Sequence, residues 1–325
     1  MEYTTLNNGI KMPMAGIGTF LLTPDEAEAS VLSALECGYR LIDTANAYVN
    51  EKAVGRAMKK SGLPREEIFL ETKLWPSFYE QPDAVEKTLE RLDTDYIDLL
   101  LIHQPAGNYI AGYKQMEKAY KAGKVKAIGL SNFNQEQIQE ILDMCEVKPA
   151  VLQTEVHPYF QEKELKQFLS KEGILIQSWY PLGHGDKALL EEPLFSELGR
   201  KYGKSNAQII LRWHIQDGNI VIPGSKKSRP HPGQFRSVRF FSDRRGNGEN
   251  RGHGQKGSLL YQHPGNAEGL CGNGARCGRS EIKNARAGRV PASSLSITEG
   301  SRFYAQKFRS KTLVLSPAGA DYRHL

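Results

Sequence analysis

The sequence predicts an α/β fold in which eight parallel strands alternate with helices and close into a TIM-type (β/α)8 barrel. Three observations predict it. Short apolar runs recur along the first two thirds of the chain, each followed by a helical pattern of apolar residues. Strands and helices in strict alternation favour a parallel sheet. Several of the runs end on a polar residue, Asp43, Lys73 and His103 among them, and barrel enzymes of this kind carry their chemistry at the carboxyl ends of the strands.

In chain order, Tyr3 to Met14 reads as a hairpin turning at Asn7-Asn8-Gly9. Gly16-Ile17-Gly18-Thr19-Phe20 is the first barrel strand, with glycines that permit close approach to its backbone. Thr23-Pro24-Asp25-Glu26 carries a helix cap, a proline at the first position and a capping-box glutamate. Ala27, Val31, Leu32 and Leu35 form that helix's apolar face, and Gly38 ends it. Leu41-Ile42-Asp43 is the next strand, and Tyr48 lies in the loop beyond it. Helices are expected near Glu51 to Lys60, Asp83 to Leu92 and Tyr113 to Ala122, after strands ending at Asp43, Lys73 and His103. Val125 to Leu130 is a strand, followed by a helix that Asn134 can cap. Ala150 to Val156 and Ile174 to Trp179 are strands, with a helix through Leu165 and Leu169 between them. Leu194 to Tyr202 and Asn206 to Ile215 are helical, and Asn219 to Pro223 is the eighth strand.

The residues at the strand ends suit proton transfer. A free tyrosine has a pKa of about 10, too high for ready proton release at neutral pH. A neighbouring ammonium favours the phenolate, and a carboxylate paired with the lysine fixes its place. Tyr48, Lys73, Asp43 and His103 supply such a set, with a tyrosine tuned to act as a general acid.

The chain has 325 residues and a net charge of +6, unevenly placed. Residues 1–227 hold 26 Lys and Arg against 31 Asp and Glu, whereas the whole chain holds 43 against 37. The first part is therefore mildly acidic and the remainder strongly basic, which argues against reading the net charge as a nucleic-acid footprint. Cys37 and Cys145 lack metal-ligand spacing and suit a reducing cytosol. Met1 to Phe20 has no signal-peptide core, and no apolar run could span a membrane. The expectation is a cytoplasmic monomer with no metal, no nucleic-acid partner and no membrane contact.

The motifs Gly38-Tyr39-Arg40-Leu41-Ile42-Asp43-Thr44-Ala45, Glu71-Thr72-Lys73-Leu74-Trp75, Leu101-Ile102-His103, Gly129-Leu130-Ser131-Asn132-Phe133 and Val221-Ile222-Pro223-Gly224-Ser225 occur in that order. In sequence and spacing they resemble the aldo-keto reductases, in particular the small bacterial branch near glyoxal and 2,5-diketogluconate reductases. The resemblance runs from Leu6 to about Lys226. It implies NADPH-dependent reduction of aldehydes or ketones, in which Tyr48 donates the proton, Asp43 and Lys73 tune it, and His103 orients the carbonyl. It further implies a cofactor site at Gly18 and Thr19, at Ser131, Asn132 and Gln153 around the carboxamide, and at Trp179 against the nicotinamide ring. Ser178, Pro181 and Leu182 would lie in a loop near the pyrophosphate, and Ser225 and Lys226 at the adenosine 2′-phosphate. Trp75, with His103, would line the substrate pocket, and the hairpin would plug the bottom of the barrel. Two alternatives stay open: an inactive product, and a non-catalytic cofactor-binding barrel like the channel β-subunits of this superfamily.

After Lys227 the resemblance stops. Read one base out of register, the codons from Lys227 onward can encode NPGHIRANFDLFDF, which is similar to the family's next segment, and can reach a stop at Ile282-Lys283. The expectation is a barrel over 1–227, a frame-shifted remnant over 228–282 and translated, disordered downstream sequence over 283–325. The last helix and the carboxyl-terminal loop would then be lost or scrambled, with impaired activity. Leu270 to Cys277 is similar to the cysteine motif of diaminopimelate epimerases, but no partner motif precedes it.

Overall fold

The computed structural model describes residues 1–224. The chain opens on an antiparallel hairpin, β1 (Tyr3–Thr5) and β2 (Lys11–Pro13), with Tyr3 opposite Pro13. Gly9 has φ +87° in its turn, a conformation that only glycine adopts at no steric cost. Strands and helices then alternate as β3 (Gly16–Gly18), α1 (Pro24–Glu36), β4 (Leu41–Asp43), α2 (Glu51–Lys60), β5 (Phe69–Leu74) and α3 (Ala84–Leu92). They continue as β6 (Leu99–Ile102), α4 (Tyr109–Lys121), β7 (Ile128–Ser131), α5 (Gln135–Met144), β8 (Val151–Glu155), α6 (Lys163–Glu172) and β9 (Leu175–Trp179). Helices α7 (Lys187–Leu190), α8 (Pro193–Tyr202) and α9 (Asn206–Gln216) precede β10 (Ile220–Val221).

Strands β3 to β10 form one parallel sheet in sequence order. Its first and last strands meet through bridges between Ala15 and Val221 and between Gly18 and Gly224, so the sheet curls into the expected (β/α)8 barrel. Side-chain alternation then makes two cores. The interior holds Leu41, Phe69, Leu99, Leu101, Val151 and Ile220, closed below by Leu6 and Met12 of the hairpin region. The outer face packs Ile42, Leu70, Leu100, Ile128, Leu152 and Ile176 against the helices. Gly129 is required by the narrow interior, since a Cβ there would lie 2.5 Å from Val151 O.

The helix starts follow from their caps. Thr23, Asn134 and Ser205 each form a reciprocal capping box with Glu26, Gln137 and Gln208. Helix α4 begins four residues before the expected Tyr113, because the Asn108 side chain accepts from Ala111 N–H at 3.1 Å and caps an earlier turn. The eighth strand is also shorter than its apolar run, with two residues in register with Gln177 and Ser178. Helix α2, which follows the Tyr48 loop, is pinned by buried Glu51. That carboxylate accepts from Thr72 Oγ1 and Arg91 Nε, both at 2.6 Å.

Candidate active site

The polar residues at the strand ends converge above the apolar interior. Asp43 closes β4, and Lys73 sits in β5 with its side chain fully buried. Lys73 Nζ donates to Asp43 Oδ1 at 2.5 Å, to Thr44 O at 2.8 Å and to Tyr48 Oη at 3.3 Å. Tyr48 is carried there by a single 3-10 turn, Asn46–Tyr48, which the left-handed Val49 (φ 59°) terminates. The chain thus brings the predicted tyrosine, lysine and carboxylate into one hydrogen-bonded group.

His103 follows β6 and faces the same group. Its ring centroid lies 5.6 Å from that of Tyr48 and 5.0 Å from that of Trp75, both edge-on. Burial and then the nearby Lys73 ammonium push its pKa down to about 3, so the imidazole is neutral at ordinary pH. For Lys73, burial works against the charge, but the Asp43 carboxylate and other nearby groups outweigh it and raise the pKa. Lys73 therefore stays charged beside a neutral histidine.

The other predicted residues fall into three groups. Asn132, Trp179 and Trp75 stand at the mouth. Asn132 has φ +67°, donates to His103 O and Ser131 Oγ at 3.2 Å, and accepts from Trp179 Nε1 at 2.9 Å. Trp75 is 38% exposed, and its N–H donates to Asn46 Oδ1 at 3.0 Å. A second group is buried beneath the mouth. Thr19 spends both its N–H and its hydroxyl on Asp43 O, and Gly18 lies against Ile222 O, where a Cβ would come within 2.9 Å. Gln153 turns into the barrel and donates to Asp43 Oδ1, Glu71 Oε1 and Gln177 Oε1 at 2.7–2.9 Å. Ser225 and Lys226 lie outside the described residues, as do the expected tail segments and the Cys271–Cys277 motif.

Ser178 lies within the predicted strand Ile174 to Trp179, here β9, and alternation sends its hydroxyl outward to His214 Nδ1, 3.3 Å away on α9, rather than toward the loop near the pyrophosphate that the resemblance implied. His214 Nε2 donates to Pro181 O at 3.0 Å, which fixes the tautomer and leaves Nδ1 to accept from Ser178. His214 therefore anchors the start of the loop that carries Pro181 and Leu182. Its burial lowers its own pKa to about 3.

Asn50 is a second residue absent from the predicted set. It is 1% exposed and ties together the loops after β3 and β4. Its Nδ2 donates to Thr19 O at 3.0 Å and Leu22 O at 3.1 Å, and its Oδ1 accepts from Thr44 Oγ1 at 2.9 Å.

The arrangement can hold a polarised carbonyl and deliver a proton to it. It also fits a nicotinamide group. The side chains of Ser131 and Asn132 at the end of β7 and of Trp179 at the end of β9 meet there, and among the described residues two buried polar atoms at the mouth, His103 Nδ1 and Asn46 Nδ2, have no partner. Among the described residues no cluster of His, Cys, Asp or Glu could hold a metal ion, and no helix is long and apolar enough to cross a membrane.

Comparison with known proteins agrees with this geometry. The family model described as "Aldo/keto reductase family" matches residues 14–231. Glyoxal reductase of Bacillus subtilis is 44% identical over 227 residues, covering 68% of this chain and 82% of its own. Methylglyoxal reductase DkgA of Salmonella typhimurium is 40% identical over 224 residues, covering 68% and 82%. Among solved structures, an aldo/keto reductase from Brucella melitensis superposes with a TM-score of 0.69 at 41% identity, covering 72% of this chain and 92% of its own. The aldo-keto reductase MGS-M4 from a deep-sea metagenome gives 0.71 at 39% identity, covering 75% and 92%. With the barrel, the strand-end residues and these similarities in agreement, the chain belongs to the aldo/keto reductase family, a family of oxidoreductases.

Proposed function

We propose that the chain reduces small aldehydes and ketones to alcohols, with NADPH as the hydride source and Tyr48 as the proton donor. The observation that carries this is the contact of Lys73 Nζ with both Asp43 Oδ1 and Tyr48 Oη beneath a neutral, partly unpartnered His103. Bound NADPH would supply hydride to the carbonyl carbon. The carbonyl oxygen then gains negative charge and takes the Tyr48 proton. The resulting phenolate is favoured by the ammonium 3.3 Å away, whose own charge Asp43 holds in place. His103 hydrogen-bonds the carbonyl and orients it. The similarity to glyoxal and methylglyoxal reductases supports a small aldehyde as substrate. Ser131, Asn132, Gln153 and Trp179 would hold the nicotinamide, Pro181 and Leu182 would pass the pyrophosphate, and Ser225 and Lys226 would reach the 2′-phosphate.

The test is Tyr48→Phe. Turnover should fall at least about a hundredfold, the usual scale of a lost general acid. Quenching of tryptophan fluorescence by the cofactor should survive. Turnover comparable to the parent chain would overturn the role.

The reading of residues 228–282 as a frame-shifted remnant is part of this proposal. It is supported by the family match ending at residue 231 and by the shift to strongly basic composition after residue 227. Resequencing the gene across the codons for Ser225 to Ser228 should find one spurious base. If the base is genuine, NADPH affinity should be weak, because the 2′-phosphate clamp is incomplete. A genuine base together with tight NADPH binding would contradict the reading. We place the enzyme in the cytoplasm as a monomer without nucleic-acid or membrane partners.

A further inference from the structure

Among the described residues, two carboxyl groups and one ammonium share the barrel interior, and the hydrogen bonds leave one carboxyl without a cation. Asp43, Glu71 and Lys73 are 2%, 0% and 0% exposed. An ammonium has three hydrogens, and those of Lys73 go to Asp43, Thr44 O and Tyr48. None is directed at Glu71. Glu71 meets side-chain amides instead, Gln153 Nε2 at 2.8 Å from Oε1 and Gln177 Nε2 at 2.7 Å from Oε2. The Gln153 amide is itself oversubscribed, its two hydrogens facing oxygens of Asp43, Glu71 and Gln177 at 2.9, 2.8 and 2.7 Å. A buried carboxylate served by amides alone is costly and tends to neutralise. Asp43 and Glu71 are register partners on adjoining strands, and Asp43 Oδ1 and Glu71 Oε1 lie 2.9 and 2.8 Å from the same nitrogen, Gln153 Nε2, so the two carboxyl groups converge on one amide. Two carboxyl groups so placed can hydrogen-bond to each other only when one of them carries a proton.

We propose that Glu71 is held as a neutral carboxylic acid that donates its proton in a hydrogen bond to Asp43, and so acts as a positioning residue for Lys73 and Tyr48. Lys73 then faces one buried anion, and the Asp43–Lys73 pair has no net charge. A second anion in the barrel would oppose formation of the Tyr48 phenolate by like-charge repulsion. The acting charges agree in direction: burial first, then Asp43, raise the Glu71 carboxyl well above its ordinary value, and Lys73 only partly offsets them. Among the described residues, Gln153 on β8 and Gln177 on β9 donate the side-chain hydrogen bonds that Glu71 accepts. The consequence for Tyr48 rests on the reductase reading; the protonation state of Glu71 is measured without it.

The experiment is difference infrared spectroscopy of the full chain, without cofactor or substrate, against Glu71→Gln. At neutral pH the parent should show the C=O stretch of a protonated carboxylic acid, moved by D2O and absent from the variant. If no such band is lost, the proposal is overturned, whatever the protein reduces. Linkage gives a second reading. Glu71 would be protonated when folded but ionised when unfolded above about 4.5, its ordinary value. The parent therefore loses stability relative to Glu71→Gln as pH rises from there, with a slope approaching one proton. A pH-independent difference between the two would also overturn it. For turnover, Glu71→Ala should lose at least about tenfold, the scale of one buried unsatisfied group. Glu71→Gln, whose amide can still donate to Asp43, should recover most of that. Equal losses in both variants would contradict the donor role.

Discussion

Replacing Lys73 by methionine is expected to destabilise the fold by about 3–5 kcal/mol, the usual result of removing one partner of a buried ion pair, and to abolish measurable reduction. Methionine fills nearly the same space, so the loss is electrostatic rather than a cavity effect. It strands the Asp43 carboxylate, which is 2% exposed, and withdraws the donors to Thr44 O and Tyr48. The two consequences separate in a second variant. Adding Asp43→Asn to Lys73→Met removes the stranded charge, so part of the stability should return in urea unfolding, while activity should not. A double variant no more stable than Lys73→Met alone would show that the pair contributes nothing through its charge.

Asn50→Ala is expected to cost about 2–4 kcal/mol, since it leaves two buried carbonyls, Thr19 O and Leu22 O, without their donor. Asn50 precedes α2 but does not cap it; no side-chain cap bond forms there. Its amide reaches across to the loop after β3, which also carries Phe20, whose ring lies 5.1 Å from that of Tyr48. Loosening that loop should therefore raise KM as well as lower the unfolding midpoint. Asn50→Asp distinguishes the cause. It keeps the acceptor for Thr44 but has no N–H for the two carbonyls, so it should be as damaging as alanine. An unfolding midpoint for Asn50→Asp close to the parent's would place the role in the acceptor instead.

The barrel was legible because local signals and the apolar pattern agree at nearly every element. Thr23, Asn134 and Ser205 cap their helices within the reach of a few residues, and each strand's apolar run is short and bounded. Tyr48, Asp43, Lys73 and His103 could be found because strand ends in this architecture share one face, so sequence position translates directly into proximity. What stayed hidden depends on long-range partners. Asn50 acts through Thr19 and Leu22, and His214 acts through Pro181 and Ser178, all on other elements. Glu71 carried a signal that could have been read: it lies two residues before Lys73 in a strand, hence on the same inward face. A charged residue at such a position calls for a partner, and the sequence does not reveal Gln153 and Gln177 as that partner. Ser178 lies inside the predicted strand Ile174 to Trp179, and the alternation that turns Gln177 inward turns it outward to His214, away from the cofactor loop that the resemblance implied.

The most direct test of the reductase account is to incubate the full chain with saturating NADPH and methylglyoxal and to follow loss of reduced cofactor together with formation of alcohol. The account predicts alcohol formed in step with cofactor oxidised. A folded chain whose tryptophan fluorescence NADPH quenches, yet which forms no alcohol from methylglyoxal or other small aldehydes, would contradict it and favour a barrel that binds cofactor without catalysis.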